Sequence, residues 1–115
     1  MNYSSIVGST TEANRTVSAK ISAGSLPGRM ELKVTDAAAA DAGNGARTVG
    51  TSSAQVTLTT SNQTVVSAIG SCYTADGVSN GHNLYYSLDL DSGNYADINF
   101  DDATTLTILY TISNN

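Results

Sequence analysis

Cys72 and His82, the chain's one cysteine and one histidine, stand ten positions apart in GSCYTADGVSNGHNLYYSL, residues 70–88. A thiol beside an imidazole could do nucleophilic chemistry, because an imidazole that takes the thiol proton leaves the reactive thiolate, and a third group orients the base. The surrounding residue types argue against it. Cys72 follows Gly70 and Ser71 at the end of a strand-like run, where a free cysteine most often serves as a small buried hydrophobe. Gly77, Asn80 and Gly81 supply the positive φ values that a folded loop needs. The stretch reads as a compact packed loop with His82 hydrogen-bonded locally. Zinc takes about three or four Cys, His or carboxylate ligands, and only Cys72, Asp76 and His82 lie near one another.

A second stretch suits calcium better. DLDSGNYADINFDD, residues 89–102, offers Asp89, Asp91, Asp97 and Asp101 together with Asn94, Asn99 and Asp102. These are hard oxygen ligands, of which calcium takes about six to eight at a time. The spacing departs from an EF-hand loop: with Asp89 at position one, Gly93 falls at five rather than six and Phe100 stands at twelve in place of glutamate. A solvated acidic turn is the favoured reading, and calcium is the one cofactor these residues admit.

The elements that would position these side chains are strands. In RTVSAKISA, residues 15–23, Val17, Ala19, Ile21 and Ala23 point one way and Thr16, Ser18, Lys20 and Ser22 the other, the two-residue period of a half-buried strand. RMELKV repeats it with Met30, Leu32 and Val34, and QVTL with Val56 and Leu58. SAGSLPG between the first two has the glycines and proline of a reversal. DAAAADAGNGARTVG, from Asp36, reads as a long loop, its glycines allowing at most one short turn near Ala37–Ala40. QTVVSAI, residues 63–69, resumes a strand, and the TTSN before it predicts an antiparallel hairpin with QVTL.

The C-terminal third alternates most strongly. Leu84, Tyr86, Leu88 and Leu90 share one phase, as do Leu106, Ile108, Tyr110 and Ile112, and both runs are expected to be central strands. Seven strands or so with turn signals between them predict an all-β fold, an antiparallel Ig-like or Greek-key β-sandwich, with a closed barrel as the alternative. The expected core comprises Val17, Ile21, Leu32, Val34, Val56, Leu58, Leu84, Tyr86, Leu88, Leu106, Ile108 and Tyr110. Its 115 residues, 40% hydrophobic, make one domain, residues 1–115, large enough for a single core.

The run from AGNGARTVG to TLTILYTIS, most specifically IGSCYT, NGHNLYYSL and TLTILYTI, resembles the C-terminal region of small secreted proteins of Bacteroidetes-type bacteria, mostly hypothetical. NYSSIV resembles the strand where members of that group enter their repeated region. Members are longer at the N-terminus, with a signal sequence and another strand. The resemblance implies export and an Ig-like or fimbrial-like sandwich, and it brings no catalytic residues.

Composition narrows the function classes. Ten acidic residues against five basic ones leave a formal charge of −5, which works against nucleic acid and against an anionic membrane surface. A single cysteine leaves no internal disulfide. No apolar run is long enough for membrane insertion. MNYSSIVGST lacks the basic head and apolar run of a secretory signal, and NYSSIV reads as a chain entering mid-strand, so the expectation is a secreted or cell-surface domain whose signal has been removed. Serine, threonine, asparagine and glycine dominate, with no carboxylate pair or triad standing out, so an enzyme is not expected. A structural or assembly subunit of a surface or filament is favoured. A carbohydrate-binding or adhesive module, with Tyr73, Tyr85 and Tyr95 meeting a glycan, is the first alternative, and a phage or virus decoration protein the second. Tyr85 and Leu109 break the alternation by placing apolar groups outward, and if their strands are neighbours they form a patch for self-association through a sheet face or edge.

Overall fold

Alternation decides which side chains enter the interior, and sheet position decides how completely they are covered. In the computed structural model, which describes residues 1–8, 14–28, 30–38, 48–78, 80–90 and 104–115, nine strands form. They are β1 (Ser4–Ser5), β2 (Arg15–Ala23), β3 (Met30–Ala37), β4 (Val49–Ser52), β5 (Val56–Thr57), β6 (Gln63–Ile69), β7 (Cys72–Tyr73), β8 (Asn83–Leu90) and β9 (Thr107–Asn114). A four-stranded sheet runs β4-β6-β2-β9 and a three-stranded sheet β5-β3-β8, while β1 and β7 make a separate two-stranded ladder. The fold is an all-β antiparallel sandwich. Its two main sheets hold seven strands, and the short β1–β7 ladder brings the number to nine rather than the expected seven.

Val17 and Ala19 of β2, Val34 of β3, Leu58 after β5, Val65, Val66 and Ile69 of β6 and Cys72 of β7 make the buried core. Two consecutive buried valines break a strict two-residue period, and the register explains them. Val17 opposes Val66 but Ser18 opposes Thr64, so a bulge passes over Val65 and turns both valines inward.

One long side of the sandwich is closed by a segment, β4 followed by β5, that passes from one sheet to the other. β4 pairs with β6 as far as Ser52↔Val66, and Ser53 N–H still donates to the Val65 carbonyl at 2.8 Å. Three residues later Val56 opposes Val34 of the other sheet, and Leu58 N–H donates to the Leu32 carbonyl at 2.8 Å. Gly50 makes the β4 segment possible. Its φ is +98°, and a Cβ there would lie 2.5 Å from Val66 Cγ1 and 2.8 Å from Ile69 Cγ1.

Several expectations are corrected here. The TTSN turn does not join a hairpin: β5 pairs with β3, β6 pairs with β2 and β4, and the turn arches between sheets. β3 runs on through Thr35 and Asp36 to Ala37 instead of giving way to a loop at Asp36. Among the described residues, β8 and β9 are sheet edges rather than central strands, and they lie in different sheets. The short turn expected near Ala37–Ala40 falls largely outside the described residues.

Candidate functional site

Two features of this sandwich stand out chemically: a buried polar knot at one end, and an uncovered apolar gap along one side.

The knot forms where β3, β4, the N-terminal segment and the loop before β8 converge. Asp36 follows Leu32 and Val34 in the inward phase of β3, and His82 precedes Leu84 and Tyr86 in the inward phase of β8. Both side chains are 0% exposed, with Asp36 Oδ2 2.7 Å from His82 Nδ1. The carboxylate oxygen accepts, so Nδ1 carries a proton. Ser52 Oγ–H donates to the same Oδ2 at 2.5 Å. On the other side of the ring, Nε2 lies 2.9 Å from the Tyr3 hydroxyl and 2.9 Å from the Val49 carbonyl oxygen. The Tyr3 hydroxyl also donates to that carbonyl, and its ring stacks on the imidazole with centroids 5.6 Å apart. Burial holds the Tyr3 phenol well above the ordinary tyrosine range, with the nearby Cys72 and Asp36 adding to the effect. Asp36 Oδ1 is buried with no hydrogen-bond partner.

Backbone bonds complete the attachment of residues 1–7. Met1 N donates to the His82 carbonyl at 2.5 Å and His82 N–H donates back to the Met1 carbonyl at 2.9 Å. Tyr3 N–H donates to Thr74 Oγ1 at 2.9 Å, Thr74 N–H to the Tyr3 carbonyl at 3.1 Å, and Val7 N–H to Ser71 Oγ at 3.0 Å. Through Tyr3, His82 and Asp36 the N-terminal segment is hydrogen-bonded to both sheets.

Cys72 and His82 do not form a thiol–imidazole couple. Both ring nitrogens of His82 are engaged by Asp36, Tyr3 and Val49. Cys72 is buried, and burial pushes its thiol above the usual cysteine value, partly offset by a backbone hydrogen bond from Ser5. A thiol held in its neutral form is a poor nucleophile. The expectation of a packed cysteine matches its place in the core. The expectation that His82 bonds locally is corrected: its side-chain partners are Asp36, Val49 and Tyr3, each at least 33 residues away in sequence. Asp36, Tyr3 and Ser52 went unread as site residues. The available signal was phase, because a carboxylate two positions beyond Val34 on an inward-facing strand must be paired if it is buried.

Of the proposed calcium ligands, Asp89 lies on β8 and is engaged by Lys33 Nζ at 2.8 Å, a contact that, with Glu31, raises the Lys33 ammonium above its usual range. Asp91, Asp97 and Asp101 lie outside the described residues. Among the described residues, no group of three or more His, Cys, Asp or Glu side chains is placed to hold a metal ion, and no helix is long and apolar enough to cross a membrane.

The apolar gap lies opposite the closed side. Among the described residues β8 ends one sheet and β9 the other; Leu84, Ile108 and Tyr110 of their inward phases pack against the core, but Tyr86, Leu88 and Ile112 are left partly uncovered. Tyr86 opposes buried Val34 yet is 46% exposed, and Leu88 opposes Leu32 yet is 54% exposed. On β9, Ile112 opposes buried Val17 and is 45% exposed. The Tyr86 and Tyr110 hydroxyls hydrogen-bond to each other across the gap. Burial, and then that bond, raise the Tyr110 phenol well above the ordinary tyrosine range. A cleft of about 210 Å³ continues the gap toward the N-terminal segment, lined by Tyr3, Val17, Tyr110 and Ile112 among others. Tyr85 and Leu109 are both exposed, as expected of outward groups. Because their strands lie in different sheets, they do not form the single patch that neighbouring strands would have made.

No family model, curated protein or solved structure matches this chain.

Proposed function

We propose that this is a non-catalytic, extracellular structural domain, a surface or filament subunit that associates with other subunits through the open side of its sandwich. The observation that carries the reading is the half-exposure of Tyr86, Leu88 and Ile112, three apolar side chains in core-facing phase on two edge strands. Side chains of this phase are ordinarily covered. Grouped exposure of this kind marks an interaction surface. The serine-, threonine- and asparagine-rich composition supports a place outside the cell. Sedimentation velocity over a concentration series tests the proposal: association is expected as concentration rises, and a strictly monomeric chain at the highest concentration overturns it.

One observation favours a glycan-binding reading as the second choice. Tyr73 is exposed on the surface, and its hydroxyl donates to Asp76 at 2.9 Å, an aromatic face beside a carboxylate. Binding on a glycan array that is lost in Tyr73→Ala would support it.

A further inference from the structure

We infer that β9 is a self-pairing edge: two copies of this chain join β9 to β9 antiparallel, fusing their four-stranded sheets into one of eight. The inference rests on the assembly reading above and names its partner and register.

Among the described residues the two main sheets have four edges, and they are unequal. β4 is four residues long and contains Gly50 in the left-handed region, and β5 is two residues long. Such short or kinked edges resist pairing with another chain. β8 is longer but carries Asp89, ion-paired with Lys33, on a molecule of net charge −5. β9 differs on each count. Thr107–Asn114 is eight residues long and contains no charged residue and no proline. Among the described residues it pairs with β2 alone. Two copies of an acidic molecule repel across most of their surfaces, and a long uncharged edge is where that repulsion is least. Threonine, isoleucine, leucine and tyrosine there are the residue types that favour pairing.

The exposed side chains select the register. In an antiparallel pair the two-fold axis stands normal to the sheet, so inward residues of both copies stay on one side, provided the axis passes through a residue rather than between two. Placing it at Tyr110 opposes Ile108 to Ile112 of the partner subunit and Leu109 to Thr111 of the partner subunit. Ile112, 45% exposed in the single chain, then gains an apolar neighbour in its own layer. The interface is isologous, and the pair closes as a dimer on this edge.

The test uses full-length chains. Leu109 and Thr111 are exposed and outward-facing, and the native Cys72 is buried, so single cysteines at 109 and 111 report on the interface alone. Opposed residues lie about 4.5 to 5.5 Å apart at Cα, inside the range a disulfide spans. On mild oxidation of a mixture, Leu109→Cys is expected to cross-link to Thr111→Cys well ahead of either variant to itself. In parallel, sedimentation of Leu109→Lys/Thr111→Lys should show association weakened about tenfold or more by two opposed lysine pairs, with the unfolding midpoint of the monomer measured alongside because residue 109 opposes Lys20 on β2. A wild type that associates while the mixture fails to cross-link and the lysine variant associates equally well overturns β9 pairing and leaves the assembly reading standing. A wild type that never associates overturns the assembly reading and this inference with it.

Discussion

The two long sides of the sandwich are built from strands of the same alternating pattern and end in opposite states. On one side, residues 49–58 pass from one sheet to the other as two short strands in close succession, and the side chains beneath, Val34, Leu58 and Val66, are buried. On the other side, among the described residues, two strands end their sheets separately and a tyrosine–tyrosine hydrogen bond spans them. Val34 and Tyr86 sit directly opposite each other in register, yet one is 0% and the other 46% exposed. The difference shows that phase along a strand chooses the direction a side chain takes, whereas neighbours on both sides of that strand supply the burial. A core-facing pattern is necessary for a core and does not by itself make one.

The contrast can be broken by substitution. The largest loss is expected from His82→Ala or Asp36→Ala, which leave a buried polar partner unsatisfied at the end where both sheets and the N-terminal segment meet. About 3 to 5 kcal/mol should be lost in urea unfolding. Ile69→Ala, beneath the closed side, should cost about 2 to 5 kcal/mol through the cavity it leaves. Leu88→Ala on the open side removes a similar side chain and should cost less than about 1 kcal/mol in the monomer, because half of it is already in water. A loss as large as that of Ile69→Ala would show that the open side is covered in solution.

The smallest effect is one of pH. Tyr3 and Tyr110 are held above the ordinary tyrosine range chiefly by burial, and the Lys33 ammonium is raised chiefly by its bond to Asp89. The unfolded chain starts to lose these protons near pH 10, while the folded chain retains them. The stability these groups contribute is therefore complete below about pH 10 and declines as pH rises above it. Urea midpoints at about pH 8 and about pH 11 should show the decline, and Tyr3→Phe should make it shallower.

The strands were legible in the sequence because their period is a local property. RTVSAKISA forms a strand over the full span its alternation marks, and QTVVSAI, rich in β-branched residues, over its full length. Partners were less legible, since a short polar turn such as TTSN serves equally well to reverse a hairpin or to arch between sheets. The rank of a strand within its sheet was least legible. β8 and β9 have the most regular apolar alternation and were expected at the centre, but edge position depends on which strands flank them, and that is settled by distant residues. The polar knot was half legible. The glycines after Asp36 make it read as the start of a loop, whereas its pairing with a buried histidine 46 positions on, together with Ser52, makes an inward carboxylate tolerable.

The pairing of β2 with β9 has a consequence for how the chain acquires its shape. Arg15 lies opposite Asn114, and the ladder continues to Ala23 opposite Thr107. β2 thus waits for a segment far downstream of it in the chain before its second edge is satisfied. Closing so long a loop precedes any reward from the contacts it enables, which places folding in the slow, millisecond-to-second regime of non-local β-proteins. During that interval β2 itself is an open edge, and whatever holds nascent chains apart at that stage governs how much of this protein reaches its native form.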